Sequence, residues 1–141
     1  MMLADVNVLV SAFRPDAERH AVCRRWLDEA VANDAPFGVS PQILSSVMRV
    51  ATLRKVFRPP SLLAETIAFA ENLLGQPHAR IVTPGDRHWP IFRDLCVAVD
   101  ARDNLIPDVW FAALAIEHGC EWVTLDRDYA RFPGLRWRTP E

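Results

Sequence analysis

The sequence predicts an α/β domain with a central, mainly parallel sheet covered by helices on both faces. Three observations carry this expectation. Short apolar runs alternate with longer segments of helical periodicity, hairpin signals are almost absent, and half of the 141 residues are hydrophobic. Strands joined through helices are crossover units, and crossover units build parallel sheets. The length suits one domain with a core that needs no staples, so residues 1–141 are taken as a single domain.

The elements follow in order. "LADVNVLV", residues 3–10, is apolar apart from one carboxylate and one amide and predicts a first strand entering the core. Asp16 and Ala17 open a helix in which Cys23, Trp26, Leu27, Ala30 and Val31 recur at three- and four-residue steps, ending near Asn33 and Asp34. "PFGVS" is a very short strand, and Ser40-Pro41 starts a helix with Ser as cap and Pro in its first turn. Its apolar face is Ile43, Leu44, Val47, Met48 and Ala51. After the Pro59-Pro60 break, Ser61 caps a helix through Leu62, Leu63, Thr66, Ile67, Ala70, Leu73 and Leu74 that stops at Gly75. "ARIVTP" is a strand, residues 86–99 are helical, and "DARDNLIP" is a polar loop. A helix over residues 108–118 ends at Gly119. "CEWVTLD" is a strand, "RDYARF" one helical turn, and "GLRWRTP" an edge strand.

Composition narrows the function classes. The net charge of −2 argues against holding nucleic acid by bulk electrostatics. Of the sixteen cationic residues only Lys55 is a lysine, and arginine is the better group for bidentate phosphate contact, although such a bias also follows from GC-rich coding. Cys23, Cys96 and Cys120 are odd in number and lack CxxC spacing, which points to no disulfide framework or zinc site and to a reducing cytoplasm. No secretory leader or membrane span is expected.

The chemistry lies in the acids at the strand ends. In an open α/β sheet ligands bind outside the carboxyl ends of the strands, where this reading puts Asp5, Asp108 and Asp126, with Asp128 two residues further on. Like charges gathered in a partly dry cleft would raise one pKa or destabilise the fold, and a divalent cation removes that conflict. Oxygen ligands without Cys or His suit Mg2+ or Mn2+, the usual equipment for phosphodiester hydrolysis. Simpler duties compete. Asp108 and Asp126 both stand where helix caps stand, whereas an acid inside a strand, as Asp5 is read, has no local backbone duty. Asn7 and Asn104 fit either as donors supporting the acids or as turn residues. The five tryptophans fall on apolar faces and are assigned to the core, and the four histidines share no ligand spacing.

"DVNVLVSAFRPDAERH" (residues 5–20), "NLIPDVWFAALAIEHG" (104–119) and "WVTLDRDYARFPGLRW" (122–137) together resemble the PIN-domain ribonucleases, and among them the VapC toxins of type II toxin-antitoxin systems. "RHWPIFRDL" and "PQILSSVMRVATLRKVF" extend the similarity over nearly the full chain. The resemblance implies a three-layer α/β/α PIN-like fold, a Mg2+- or Mn2+-binding cleft that cuts RNA, metal ligation by Asp5, Asp108 and Asp126 with Asp128 further out, and Thr124 orienting Asp126 or a phosphate. It also implies a cognate VapB-type antitoxin and a homodimer. Two positions depart from the pattern: Ser46 stands where many PIN nucleases carry a glutamate, and Trp110 where relatives often have a histidine. The function expected is therefore a metal-dependent endoribonuclease toxin, with Arg14 or Arg127 holding the RNA backbone. The alternative, motivated by Ser46, is a catalytically weak PIN module that binds RNA or protein. A haloacid-dehalogenase-like phosphatase is disfavoured because it expects a second aspartate where Asn7 stands.

Overall fold

The first apolar run is a strand for only three residues. In the computed structural model, which describes residues 1–141, β1 spans Met2–Ala4 and the chain then turns directly into a helix, α1, over Val6–Phe13. The expected strand over residues 3–10 is thus corrected. Asp5 accepts a hydrogen bond from the Val6 amide at 2.6 Å and caps the helix. Because Val8, Leu9, Val10 and Ala12 are all buried, α1 lacks the polar stripe that separates a helix from a strand in sequence.

The remaining elements are α2 (His20–Ala32), β2 (Phe37–Val39), α3 (Pro41–Ala51), α4 (Leu63–Leu74), β3 (Ala79–Ile81), α5 (His88–Val99), α6 (Leu105–Glu117), β4 (Glu121–Val123), a 3-10 turn over Arg127–Arg131 and β5 (Trp137–Arg138). Ser40 caps α3 by accepting from the Ile43 amide, with Pro41 in the first turn as expected. Four helix starts shift, that of α5 by two residues, from 86 to His88. α2 begins at His20, after a turn holding Asp16. α4 begins after Leu62, because the Ser61 hydroxyl accepts from Arg14 instead of capping. α6 opens at Leu105, so Asp108 lies within its first turn and is no cap.

Five parallel strands form one sheet in the order β3-β2-β1-β4-β5. The chain builds outward from β1 to β2 and β3, then returns past β1 to lay down β4 and β5 on the other side. Right-handed crossovers in opposite directions place their helices on opposite faces, and the helices do divide into a group formed by α1 to α4 and a pair formed by α5 and α6. The strand order reverses between β1 and β4, and an open sheet of this kind presents its crevice at that point, outside the strands' carboxyl ends.

The core is one cluster of 31 buried residues that includes Leu3, Val8, Ile43, Val109, Leu114, Trp122 and Val123. Trp26 and Trp122 are buried, but Trp89 is 60% exposed, which corrects its assignment to the core. Its ring lies on the outer side of α5, 5.4 Å from that of Phe92. His88 is the histidine fully enclosed by the fold, and its Nε2 pairs with the Trp110 carbonyl at 3.0 Å. No helix is long and apolar enough to cross a membrane.

Trp122 sits at the centre of β4 with no exposed surface, its ring 6.0 Å from Phe111 and 5.4 Å from Tyr129. Trp122→Ala is expected to cost about 3–5 kcal/mol in urea unfolding. Trp122→Phe should cost clearly less, because the indole N–H is buried without a partner and its loss removes no hydrogen bond.

Candidate active site

β1 and β4 are neighbours in register, with Ala4 beside Val123, so their carboxyl ends present Asp5 and the Thr124–Asp126 segment side by side. The Asp5 amide donates to the Val123 carbonyl at 2.8 Å, which continues the ladder one residue beyond the strand. The Asp5 side chain is 6% exposed. Its Oδ1 accepts from the Val6 amide, while Oδ2 accepts from the Thr124 hydroxyl at 2.6 Å and from the Asn7 amide group at 3.1 Å. Thr124 Oγ1 also accepts from the Asp126 amide at 3.0 Å, and Asn7 Oδ1 accepts from the Leu125 amide at 3.1 Å. Asn7 is therefore a supporting donor and no turn residue. The resemblance implied that Thr124 orients Asp126 or a phosphate; in the structure its hydroxyl accepts from the Asp126 backbone amide and donates to the Asp5 carboxylate.

Asp5, Asp108 and Asp126 line one open cleft of about 340 Å3, together with Asn7, Ser11 and Tyr129. Val10, Val50, Val56 and Phe57 supply its apolar wall. Asp108 reaches it from the first turn of α6, where Oδ1 accepts from the Tyr129 hydroxyl at 3.3 Å. Asp126 caps the 3-10 turn through the Asp128 amide at 2.9 Å, so its capping duty and its place in the cleft coexist. Asp128 does not line the cleft. Its side chain is exposed, with Arg131 3.8 Å from Oδ2. Ser46 and Asn104 also lie outside the lining, and Asn104 stands at the N-cap of α6 without a side-chain hydrogen bond.

The expectation that Arg14 holds an RNA backbone is corrected. Its guanidinium is only 12% exposed, forks onto Asp16 at 2.8 and 2.6 Å, and donates to Ser61 Oγ and the Pro59 carbonyl, both at 3.0 Å. Arg127 is exposed beside Asp126. Sequence reasoning also missed Tyr129, which it took as part of a helical turn only. As the chain's single tyrosine, directly after the acid pair, it was the available signal.

Electrostatics sets the three acids apart. Burial pushes the Asp5 carboxyl from its ordinary 3.8 to about 6, against the lowering effect of Thr124 and Val6 and with added repulsion from Asp108 and Asp126. Burial also raises Asp108, with the Tyr129 hydrogen bond opposing and Asp126 reinforcing. Burial and the neighbouring acids drive the Tyr129 phenol far above its ordinary range, so it stays a donor. No lysine or arginine lines the cleft. No group of three or more His, Cys, Asp or Glu side chains is gathered tightly enough to cage a metal ion by itself. Oxygen donors without sulfur or imidazole still fit a hard cation, since Mg2+ is held through one or two carboxylates and keeps several waters. A larger groove of about 860 Å3 between α2 and α4 includes none of these acids.

The family model for the PIN domain matches residues 2–135. The chain belongs to the PIN-domain family. This PIN domain is 44% identical over 140 residues to Ribonuclease VapC31 of Mycobacterium tuberculosis, with 99% of each chain covered, and equally identical to Ribonuclease VapC25 of that organism over the same share of both chains. Its fold superposes on VapBC2 from Rickettsia felis bound to a promoter DNA fragment, with a TM-score of 0.71, 15% identity and 96% of each chain covered. It superposes on VapC20 of M. tuberculosis, a toxin described as cleaving the sarcin-ricin loop, with a TM-score of 0.69, 15% identity, and 96% of this chain and 99% of that one covered. The PIN-like α/β/α architecture expected from the sequence is thus borne out.

The raised Asp5 carboxyl fixes a pH dependence for the metal-free protein. The fold holds the proton up to about 6, the unfolded chain only to 3.8, so stability present below 3.8 is lost as pH rises through 6. The loss is of the order of 3 kcal/mol. Urea midpoints measured with EDTA from pH 4 to 7.5 should fall more steeply for the wild type than for Asp5→Asn. Parallel curves for the two proteins would refute this assignment.

Proposed function

We propose that this protein is a Mg2+- or Mn2+-dependent endoribonuclease and the toxin of a VapBC-type toxin-antitoxin pair, residues 1–141 acting as a single PIN domain in the cytoplasm. The observation that carries the proposal is the cleft at the reversal of strand order, where a buried carboxylate without a cationic partner faces two further acids. The relatives named Ribonuclease VapC, similar over the whole chain, support the substrate class. Structural neighbours described as VapBC complexes support a VapB-type antitoxin as partner, and a homodimer is the proposed assembly.

Asp5, Asp108 and Asp126 would hold the ion, with exposed Asp128 at the rim. When bound, the ion supplies the Lewis acidity and charge neutralisation that phosphodiester hydrolysis needs. The protein's own part is orientation. Thr124, Asn7 and the Val6 amide hold both oxygens of Asp5 in place, and Tyr129 holds one oxygen of Asp108. The wall of Val10, Val50, Val56 and Phe57 lowers the local dielectric and strengthens each interaction with the scissile phosphate. Arg127, exposed beside Asp126, would touch the RNA backbone.

A specific observation also favours the weaker-module reading. α3 contributes Val50 to the cleft and no carboxylate, and Ser46 lies one turn before it. Three acids bind a divalent ion less firmly than four.

Incubation with single-stranded RNA should give cleavage that EDTA abolishes and Mg2+ or Mn2+ restores. Asp5→Asn and Asp108→Asn should each lower kcat/KM by at least about 100-fold, in line with removal of a group that acts on the transition state. Undiminished cleavage by either variant would refute the mechanism. Ser46→Glu should tighten Mn2+ binding in calorimetric titration, and a large gain in rate with it would mark the natural site as impaired.

A further inference from the structure

The segment between α3 and α4, residues 52–62, has two chemically distinct sides. Val56 and Phe57 line the acid cleft, whereas Arg54, Lys55 and Arg58, with Pro59 and Pro60, line a separate concavity that contains no acid and no large apolar side chain. The chain's single lysine is here. Six arginines elsewhere pair with carboxylates, but none of these three cations does, and all three are exposed. Arg58 Nε donates to the Arg54 carbonyl at 3.4 Å, which keeps the two guanidinium-bearing residues on one side.

This segment is held in shape. Arg14 donates to the Pro59 carbonyl and to Ser61 Oγ, and its guanidinium lies 4.5 Å over the Phe57 ring. The Ser61 amide donates to the Ala51 carbonyl at 2.9 Å, and the Val56 and Phe57 amides donate to the Leu53 carbonyl at 3.0 and 3.1 Å. A fixed segment presents its cations without the entropic cost of ordering them on binding.

We propose that this basic rim is the phosphate-holding surface of the enzyme: Arg54, Lys55 and Arg58 bind backbone phosphates of the RNA strand that leads into the acid cleft. The proposal rests on the nuclease reading above. A polyanion is repelled by a cleft whose lining holds three carboxylates and no cation, so cations beside the cleft have to supply the affinity, and the loop that gives the cleft Val56 and Phe57 carries three of them in the adjoining concavity. An RNA strand is favoured over an acidic protein segment as occupant, because one short loop forms both the basic concavity and part of the cleft wall.

The test compares the wild type with Arg54→Ala/Lys55→Ala/Arg58→Ala on a labelled single-stranded RNA in Mn2+, over a series of salt concentrations. KM should rise about tenfold or more near 0.15 M salt while kcat is retained, and the slope of log KM against log salt should flatten by about 2, the value for three phosphate contacts on a single strand. Arg54→Lys/Lys55→Arg/Arg58→Lys should restore the slope, and Mn2+ affinity should match in all three proteins. If the triple alanine variant does not fold, the single variants, each expected to remove about 0.7 of slope, decide the matter. An unchanged KM and slope overturn the proposal, including the case where the rim serves an acidic protein partner. Absence of any metal-dependent cleavage by the wild type would instead sink the nuclease reading, and oligonucleotide binding by anisotropy in EDTA would still judge the rim by its salt slope.

Discussion

The hydrogen bonding of one buried carboxylate organises this molecule. Asp5 ends β1, caps α1 and accepts from Thr124 at the end of β4, so three elements meet at its two oxygens. A lone ionised carboxylate in such a place would cost several kcal/mol. Three donors offset part of that cost, yet the carboxyl still sits near 6, which means that the fold tolerates the charge without fully compensating it. The uncompensated charge is local to the cleft, where Asp108 and Asp126 add to it by repulsion. A protein selected for stability alone would place an amide or an apolar residue there.

Topology explains why the acids meet. Asp5 and Asp126 are far apart in sequence but follow adjacent strands, because the chain returns past β1 to form β4. The third acid arrives differently. Asp108 sits in the first turn of α6, where a negative charge is favoured by the helix dipole, and Tyr129 ties it to the segment after β4. Tyr129 in turn packs on Trp122 in the centre of the sheet and on Phe132. The core and the cleft therefore share a side chain, and a void under Trp122 would loosen Asp108 as well as the sheet.

The parallel sheet, the order of the elements after α1 and the three cleft acids were legible in the sequence because each has a local signature: alternating element types, a Ser-Pro helix start, an acid in or beside an apolar run. What was hidden depends on tertiary context. A helix buried on nearly every side, as α1 is, has no polar stripe to betray its period. Two expected caps differ for separate reasons: Ser61 is taken by Arg14, 47 residues away, and α6 starts three residues before Asp108, at Leu105. Arg14 is offered by the sequence as an RNA contact, although its carboxylate partner Asp16 stands two residues on; its other partners, Ser61 and the Pro59 carbonyl, come from a loop 45 or more residues away and have no local sign. Trp89 is expected in the core because it stands in an apolar stretch, yet a helix with aromatic residues on several sides cannot bury all of them against one sheet face.

The same cation shows how charge is distributed between site and surroundings. Arg14 follows α1 directly, so the helix that Asp5 caps at one end terminates at the residue that fixes the loop bearing Val56 and Phe57. A displacement of α1 along its axis would move the acid and the apolar wall of the cleft together and keep their spacing. The cleft is in this sense built on one helix with contacts at both ends. It also separates the signs: negative groups are fixed inside by hydrogen bonds, and the cations of the neighbouring loop stay outside, without carboxylate partners. Were Arg54, Lys55 or Arg58 turned inward, they would pair with the cleft acids and remove the repulsion that Asp108 and Asp126 exert on Asp5.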